Sequence, residues 1–266
     1  MQTNAGAAVG VFDSGLGGLS VMLEIRQLLP AEQLIYVADS AYVPYGEKDS
    51  ATIISRSMRI GEFLFGQGVK ALVVACNTAT AAAIASLRER WPEQIVVGME
   101  PAIKPAVSQT SSGKIGVLAT TGTLRSARFE DLLQRYGALV EVITQPCPGL
   151  VELIEAGELD TVQTIAMLHQ YVDPLLAAGC DRLILGCTHY PFVKPVLQKM
   201  VPPEVAIIDT GPAVARRLQQ LLAASNQLAG GSGPADIFYT TGAVAAMQSA
   251  LAGLWPPPAT ARALQL

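Results

Sequence analysis

The chain has 266 residues, half of them hydrophobic and only 15% charged, where an ordinary soluble domain carries roughly 25%; one large domain or two moderate ones with sizeable cores are expected. Eighteen basic against 22 acidic residues give a net charge of −4, and no basic run marks a nucleic-acid partner. Uncharged runs such as 71–87 and 237–261 are broken by Asn, Thr, Gln, Ser or Pro, so none offers the ~20 continuous apolar residues of a membrane helix.

Residues 1–9 are short and polar rather than signal-like, so a cytoplasmic location with reduced thiols is the expectation. Along the chain, short β-branched runs at 9–12, 34–38, 72–75, 95–98 and 115–119 read as buried strands. So do 140–144, 183–186, 205–208 and 237–240. Helical patterns lie between them, at 19–29, 78–91, 126–136, 162–177 and 213–222. This alternation predicts an α/β fold with mainly parallel sheets covered on both faces. The Gly/Ser stretch at 229–234 is expected to be a flexible loop, and the tail "PPPATARALQL" to be loosely held.

"GVFDSGLGGLS" at 10–20 can be laid on "GVLATTGTLRS" at 116–126, which aligns Asp13 with Ala119. A cysteine follows each at similar spacing: Cys76 in "VVACNTAT" and Cys187 in "LILGCTHY". An internal duplication is therefore expected. It predicts two pseudo-symmetric doubly wound lobes, one of residues 1–99 plus 210–266 and one of residues 100–209, with the active site in the interlobe cleft.

In doubly wound sheets function gathers at the carboxyl ends of strands. Cys76 and Cys187 both fall there, and across a cleft they would flank one bound molecule. Two thiols on opposite faces of one carbon are what a two-base racemase needs: one thiolate removes the α-proton and the other thiol delivers one. Each thiol needs help from its ordinary pKa of about 8.5. Asp13 is placed to accept a proton or orient its thiol, and His189 to shuttle a proton or stabilise a thiolate. Ser14, Asn77, Thr78, Thr120, Thr123 and Thr188 supply neutral donors suited to a substrate carboxylate. Tyr45 and Gly46, in "YVPYGEKD", add backbone and hydroxyl contacts. Cys180 reads as a small buried hydrophobe, Cys147 as filler near a strand end and His169 as a surface residue. No zinc site is expected from so few ligands.

The stretches "GVFDSGLGGLSV", "ADSAYVPYGEK", "ACNTATA", "GVLATTGT" and "GCTHYP" resemble the bacterial glutamate racemases, of the cofactor-independent aspartate/glutamate racemase superfamily. The resemblance implies interconversion of L- and D-glutamate without cofactor or metal, supplying D-glutamate for peptidoglycan. It implies that Cys76 acts on D-glutamate and Cys187 on L-glutamate, assisted by Asp13 and His189. The substrate-binding pairs fall on Asp13-Ser14, Tyr45-Gly46, Asn77-Thr78 and Thr188-His189, with Glu155 as an acidic residue near the site. A homodimer is expected. The competing readings are another racemase of the superfamily, such as one for aspartate, and a non-catalytic amino-acid-binding protein.

Overall fold

Unalternating Val, Ile and Leu runs bury both faces of a strand, which demands helices above and below the sheet. The computed structural model, which describes residues 5–231, 233–256 and 258–266, has two such sheets, and every strand pair in them is parallel. The chain divides into two compact units, Met1–Met99 with Gly211–Leu266 and Glu100–Thr210.

The first part of unit 1 runs β1 (Val9–Asp13), α1 (Leu19–Leu28), β2 (Leu34–Ala38), α2 (Ser50–Gly66), β3 (Ala71–Val74), α3 (Asn77–Arg90) and β4 (Ile95–Val97). Unit 2 follows with α4 (Ile103–Gln109), β5 (Lys114–Ala119), α5 (Thr121–Leu124), α6 (Ala127–Tyr136), β6 (Glu141–Pro146), α7 (Leu150–Glu155), α8 (Val162–Ala177), β7 (Arg182–Leu185), α9 (Lys194–Met200) and β8 (Ala206–Ile208). The chain returns to unit 1 through α10 (Gly211–Ala224), β9 (Ile237–Thr240), α11 (Val244–Leu254) and β10 (Ala261–Ala263).

Sheet order in unit 1 is β10-β9-β2-β1-β3-β4, and in unit 2 β6-β5-β7-β8. Counted within each unit, the first four strands along the chain have the same 2-1-3-4 order. In both, the chain leaves the first strand to one side and later crosses to the other. The crevice between first and third strands is the topological switch point, where an open α/β sheet places its ligand site. Asp13 ends β1, and Cys76 comes two residues after β3. In unit 2, Ala119 ends β5 and Cys187 comes two residues after β7.

The helices follow from pattern and caps. Asp49 caps α2 by accepting from Thr52 N at 2.8 Å, and Ile53, Ile60 and Leu64 then face the core at helical spacing. These residues pack with Phe12, Val37, Leu72, Val74, Ala83 and Leu87 under the sheet of unit 1. In unit 2, Ile115, Val117 and Ala119 of β5 meet Ile103, Phe129 and Leu132. Each fully buried large aliphatic or aromatic side chain is worth roughly 1.5–3 kcal/mol.

One expectation about the tail needs correction. Residues 261–263 form an edge strand parallel to β9, and Leu264 N donates to Thr240 O at 2.8 Å. "ARA" carries no β-branched signal, so this strand owes its existence to the open edge of β9; Pro257 of the same stretch lies outside the described residues. In the stretch 229–234, Ser232 also lies outside them, but Ala229 N is held by Glu32 Oε1 at 2.8 Å. Glu32 in turn forms a fully buried ion pair with Lys70 at 2.6 Å. Among the described residues, no helix is long and apolar enough to cross a membrane.

Candidate active site

In unit 1, the turn after β1 folds back on itself because Asp13 Oδ1 accepts from Gly15 N at 2.7 Å. Asp13 therefore does not cap α1, whose N-cap is Gly18. Gly18 instead makes room: a Cβ there would lie 2.7 Å from Asp13 Cβ and 2.8 Å from the Tyr36 hydroxyl. The carboxylate is fully buried. Ser14 Oγ donates to it at 3.4 Å, and Cys76 Sγ reaches Ser14 Oγ at 3.8 Å. Cys76 is itself the N-cap of α3, its sulfur accepting from Ala79 N at 3.4 Å. A helix N-terminus favours negative charge and so the thiolate form.

Asn77 and Thr78 open α3 and are buried. Neither the Oδ1 nor the Nδ2 of Asn77 has a hydrogen-bond partner. A buried amide left unpaired costs about 1–3 kcal/mol, a cost expected where a polar ligand completes the bonding. Tyr45 opens the short 3-10 turn Tyr45–Glu47. Its phenol is buried and donates to Asp39 Oδ2 at 2.6 Å. Burial first, and then the Asp39 carboxylate, hold the phenol well above its ordinary pKa. The Tyr45 hydroxyl, expected from the sequence to add to the backbone contacts of Tyr45 and Gly46, donates its proton to a carboxylate inside the protein.

Asp39 was legible only as part of "ADSAYVPYG", and no role followed from that. It receives four hydrogen bonds: from Tyr45, from Thr241 Oγ1 at 2.8 Å, and from Arg56 Nε and Nη2 at 3.0 and 2.7 Å. Its partners lie 6, 17 and 202 residues away in sequence. No local motif announces such a cluster.

In unit 2, Gly186 N donates to Leu118 O at 2.7 Å, extending the β5–β7 ladder to the residue before Cys187. Cys187 lies in a turn rather than at a helix cap, and its partner is a side chain. Its Sγ is 3.7 Å from His189 Nδ1, and His189 Nε2 is 2.6 Å from Glu155 Oε1 at the end of α7. His189 is buried. With the Nε2 proton directed at the Glu155 carboxylate, Nδ1 is the ring nitrogen that faces the Cys187 thiol as an acceptor.

Thr120 caps α5, accepting from Thr123 N at 3.2 Å and bonding the Thr123 hydroxyl at 3.0 Å. Thr188 is buried between Cys187 and His189. Cys147 is also nearby: it follows β6, and its N–H donates to Ala119 O. Burial drives its thiol far up in pKa against a smaller lowering contact from Tyr190, so Cys147 is a poor base. Cys180 is buried away from this edge, before β7. His169 is on the exposed side of α8, paired with Asp173 at 3.1 Å.

Thus Asp13, Ser14, Cys76, Asn77, Thr78, Tyr45 and Gly46 gather at the carboxyl edge of the sheet in unit 1. Thr120, Thr123, Glu155, Cys187, Thr188 and His189 do so in unit 2. Cys76 stands beside a carboxylate through a serine, and Cys187 beside an imidazole backed by a carboxylate.

Residues 9–218 match the family described as Asp/Glu/Hydantoin racemase. A glutamate racemase of Pseudomonas aeruginosa (strain UCBPP-PA14) is 59% identical over 252 residues, 95% of each chain. The crystal structure of glutamate racemase from Francisella tularensis subsp. tularensis SCHU S4 in complex with D-glutamate superposes with a TM-score of 0.85 at 30% identity, covering 98% of both chains. That of Escherichia coli glutamate racemase in complex with L-glutamate and the activator UDP-MurNAc-ala gives 0.84 at 32% identity, covering 97% of this chain and 98% of the other.

Proposed function

The chain belongs to the Asp/Glu/Hydantoin racemase family, and from that premise we propose that it is a glutamate racemase that interconverts the L and D enantiomers through two thiols. The observation that carries the reading is the pair of buried cysteines at corresponding switch points of two sheets that share a 2-1-3-4 strand order. Relatives that bind D-glutamate and L-glutamate support the choice of substrate.

In this reading the Cys187 thiolate takes the α-proton of L-glutamate, and the Cys76 thiol protonates the opposite face of the resulting carbanion to give D-glutamate. The reverse reaction exchanges the roles. Each turnover moves one proton from substrate to one thiolate and one from the other thiol to product. The two thiols must then restore their protonation states. His189 does this for Cys187, its imidazole oriented by the hydrogen bond to Glu155. Asp13 does it for Cys76 through Ser14, while the N-terminus of α3 steadies the thiolate.

The α-proton of an amino acid is far less acidic than a thiol, so the carbanion needs stabilisation where its charge spreads into the α-carboxylate. Asn77, Thr78, Thr123 and Thr188 are the neutral donors for that task, with the Tyr45–Gly46 backbone. The product would serve peptidoglycan synthesis in the cytoplasm. The enzyme is expected to work as a homodimer.

The test is optical rotation of L-glutamate with the purified protein and no added cofactor, with L-aspartate as the comparison. Decay of the glutamate signal to zero while aspartate stays constant is the expected result. A constant glutamate signal contradicts the assignment.

A further inference from the structure

We propose that Arg56 is a positioning residue for substrate binding: by fixing Asp39 it holds Tyr45, and with it the Tyr45–Gly46 backbone, beside Cys76. The inference rests on the glutamate racemase reading and extends it to a residue that no contact with substrate would reveal.

The argument begins with the cost of burying charge. Asp39 is fully buried and the Arg56 side chain is only 6% exposed, so neither charge is solvated by bulk water. Such a pair persists only if its geometry is good and every remaining lone pair is met. Here it is. The guanidinium approaches two-pronged, and the Tyr45 and Thr241 hydroxyls take the remaining acceptor positions of the carboxylate.

The cluster ties the ends of β2 and β9 to the middle of α2 and the turn at Tyr45. Asp39 follows β2, and its N–H donates to Asp13 O at 3.0 Å. Arg56 comes from the middle of α2, and its guanidinium also lies over the Tyr42 ring at 4.1 Å. Thr241 follows β9, and its hydroxyl accepts from Ala41 N at 3.1 Å. Tyr45 carries the cluster toward Cys76: the two share a buried cluster, and the 3-10 turn of Tyr45 packs on α3. Both ends of the loop 40–47 are therefore fixed through a single carboxylate.

Removing the guanidinium leaves Asp39 as an uncompensated buried charge. The carboxyl then takes up a proton or draws in water, and in either case the Tyr45 phenol loses its fixed acceptor. The turn that carries the Tyr45–Gly46 backbone is freed, and with it one set of substrate contacts. Lysine cannot restore the arrangement, since it supplies a point charge without the two parallel N–H groups.

The experiment compares steady-state racemisation by the wild-type protein, Arg56→Lys, Arg56→Met, Tyr45→Phe and the double variant Arg56→Lys/Tyr45→Phe, with melting curves to confirm folding. Arg56→Lys is expected to raise KM for both enantiomers by roughly tenfold, about the worth of one lost hydrogen bond to a charged substrate, with kcat changed by less than about threefold. Because the enantiomers have equal free energies, kcat/KM must fall equally in both directions, which serves as an internal check. If Arg56 acts through Tyr45, the double variant has a KM no worse than the weaker-binding single one.

Full additivity of the two substitutions, or a wild-type KM in folded Arg56→Lys, overturns the inference and leaves the racemase assignment standing. Should Arg56→Met fail to fold, the lysine variant and the cycle with Tyr45→Phe still decide. A wild-type protein that leaves glutamate unchanged removes the functional reading, and this inference with it.

Discussion

Gly186→Ala tests how closely the second sheet must be drawn together to present Cys187. A Cβ at this position would lie 2.9 Å from Ala119 Cβ and 3.0 Å from Leu118 O. Carbon atoms in good contact are about 3.5–4.0 Å apart, so the end of β7 must retreat from β5 by about 0.6 Å or more. Neither neighbour can yield: Ala119 Cβ has no torsion to turn, and Leu118 O is backbone already bonded to Gly186 N. The retreat strains that bond and carries Cys187 with it. Overpacking of this kind costs about 1–3 kcal/mol, and a misplacement approaching 1 Å at a reacting group costs about a hundredfold in rate. We expect Gly186→Ala to lose roughly 10- to 100-fold in kcat/KM for glutamate. Adding Ala119→Gly removes the closer of the two clashes and is expected to recover part of the loss. The assay is circular dichroism of the racemisation time course, with a melting curve for each variant. Wild-type kcat/KM in folded Gly186→Ala would refute the reasoning.

Asn77→Leu replaces a buried amide that lacks partners with an apolar group of similar size. It should raise the melting temperature by sparing the amide's desolvation, yet abolish racemisation; a destabilised or fully active variant contradicts this role for Asn77. Acid sensitivity offers a test away from the site. Burial raises the pKa of Asp181, but hydrogen bonds from Thr110, Ser111 and Ser112 outweigh it and hold the carboxyl well below its ordinary range. A depressed folded pKa stabilises the fold above the unfolded value of about 3.9, and that stability drains away as pH falls below it. Asp181→Asn should therefore be less stable at pH 7 by urea titration and lose less than the wild type on going to pH 3. Parallel losses in the two proteins would contradict the linkage.

The strands were legible because their runs of Val, Ile and Leu need burial on both faces, and the site's main residues because they stand in short polar stretches after those runs. "FDSG", "ACNTAT" and "GCTHY" each deliver their site side chains within four residues of a strand end, so one-dimensional spacing suffices. What the sequence hid depends on contacts between distant residues. Arg56 looks like any helix arginine until α2 is laid beside Asp39. The strand at 261–263 exists only because β9 offers an open edge.

The structure also gives a physical account of why the second unit lacks an aspartate at the end of its first strand. In the alignment of the two repeats, Gly18, which leaves room for Asp13, corresponds to Leu124, which is partly buried against the core of unit 2. Ala119 itself lies against the space of Gly186. In unit 2 the cysteine is met instead by His189, itself bonded to Glu155.

The central claim is that two different thiols serve the two faces of one carbon. The direct measurement starts the reaction with protiated L-glutamate in D2O and determines α-deuterium in both enantiomers over the first few per cent of conversion. Two bases predict D-glutamate that carries solvent deuterium from its first appearance, beside recovered L-glutamate that remains protiated. D-glutamate that keeps the substrate's own proton would show that a single group serves both faces, and would contradict the account.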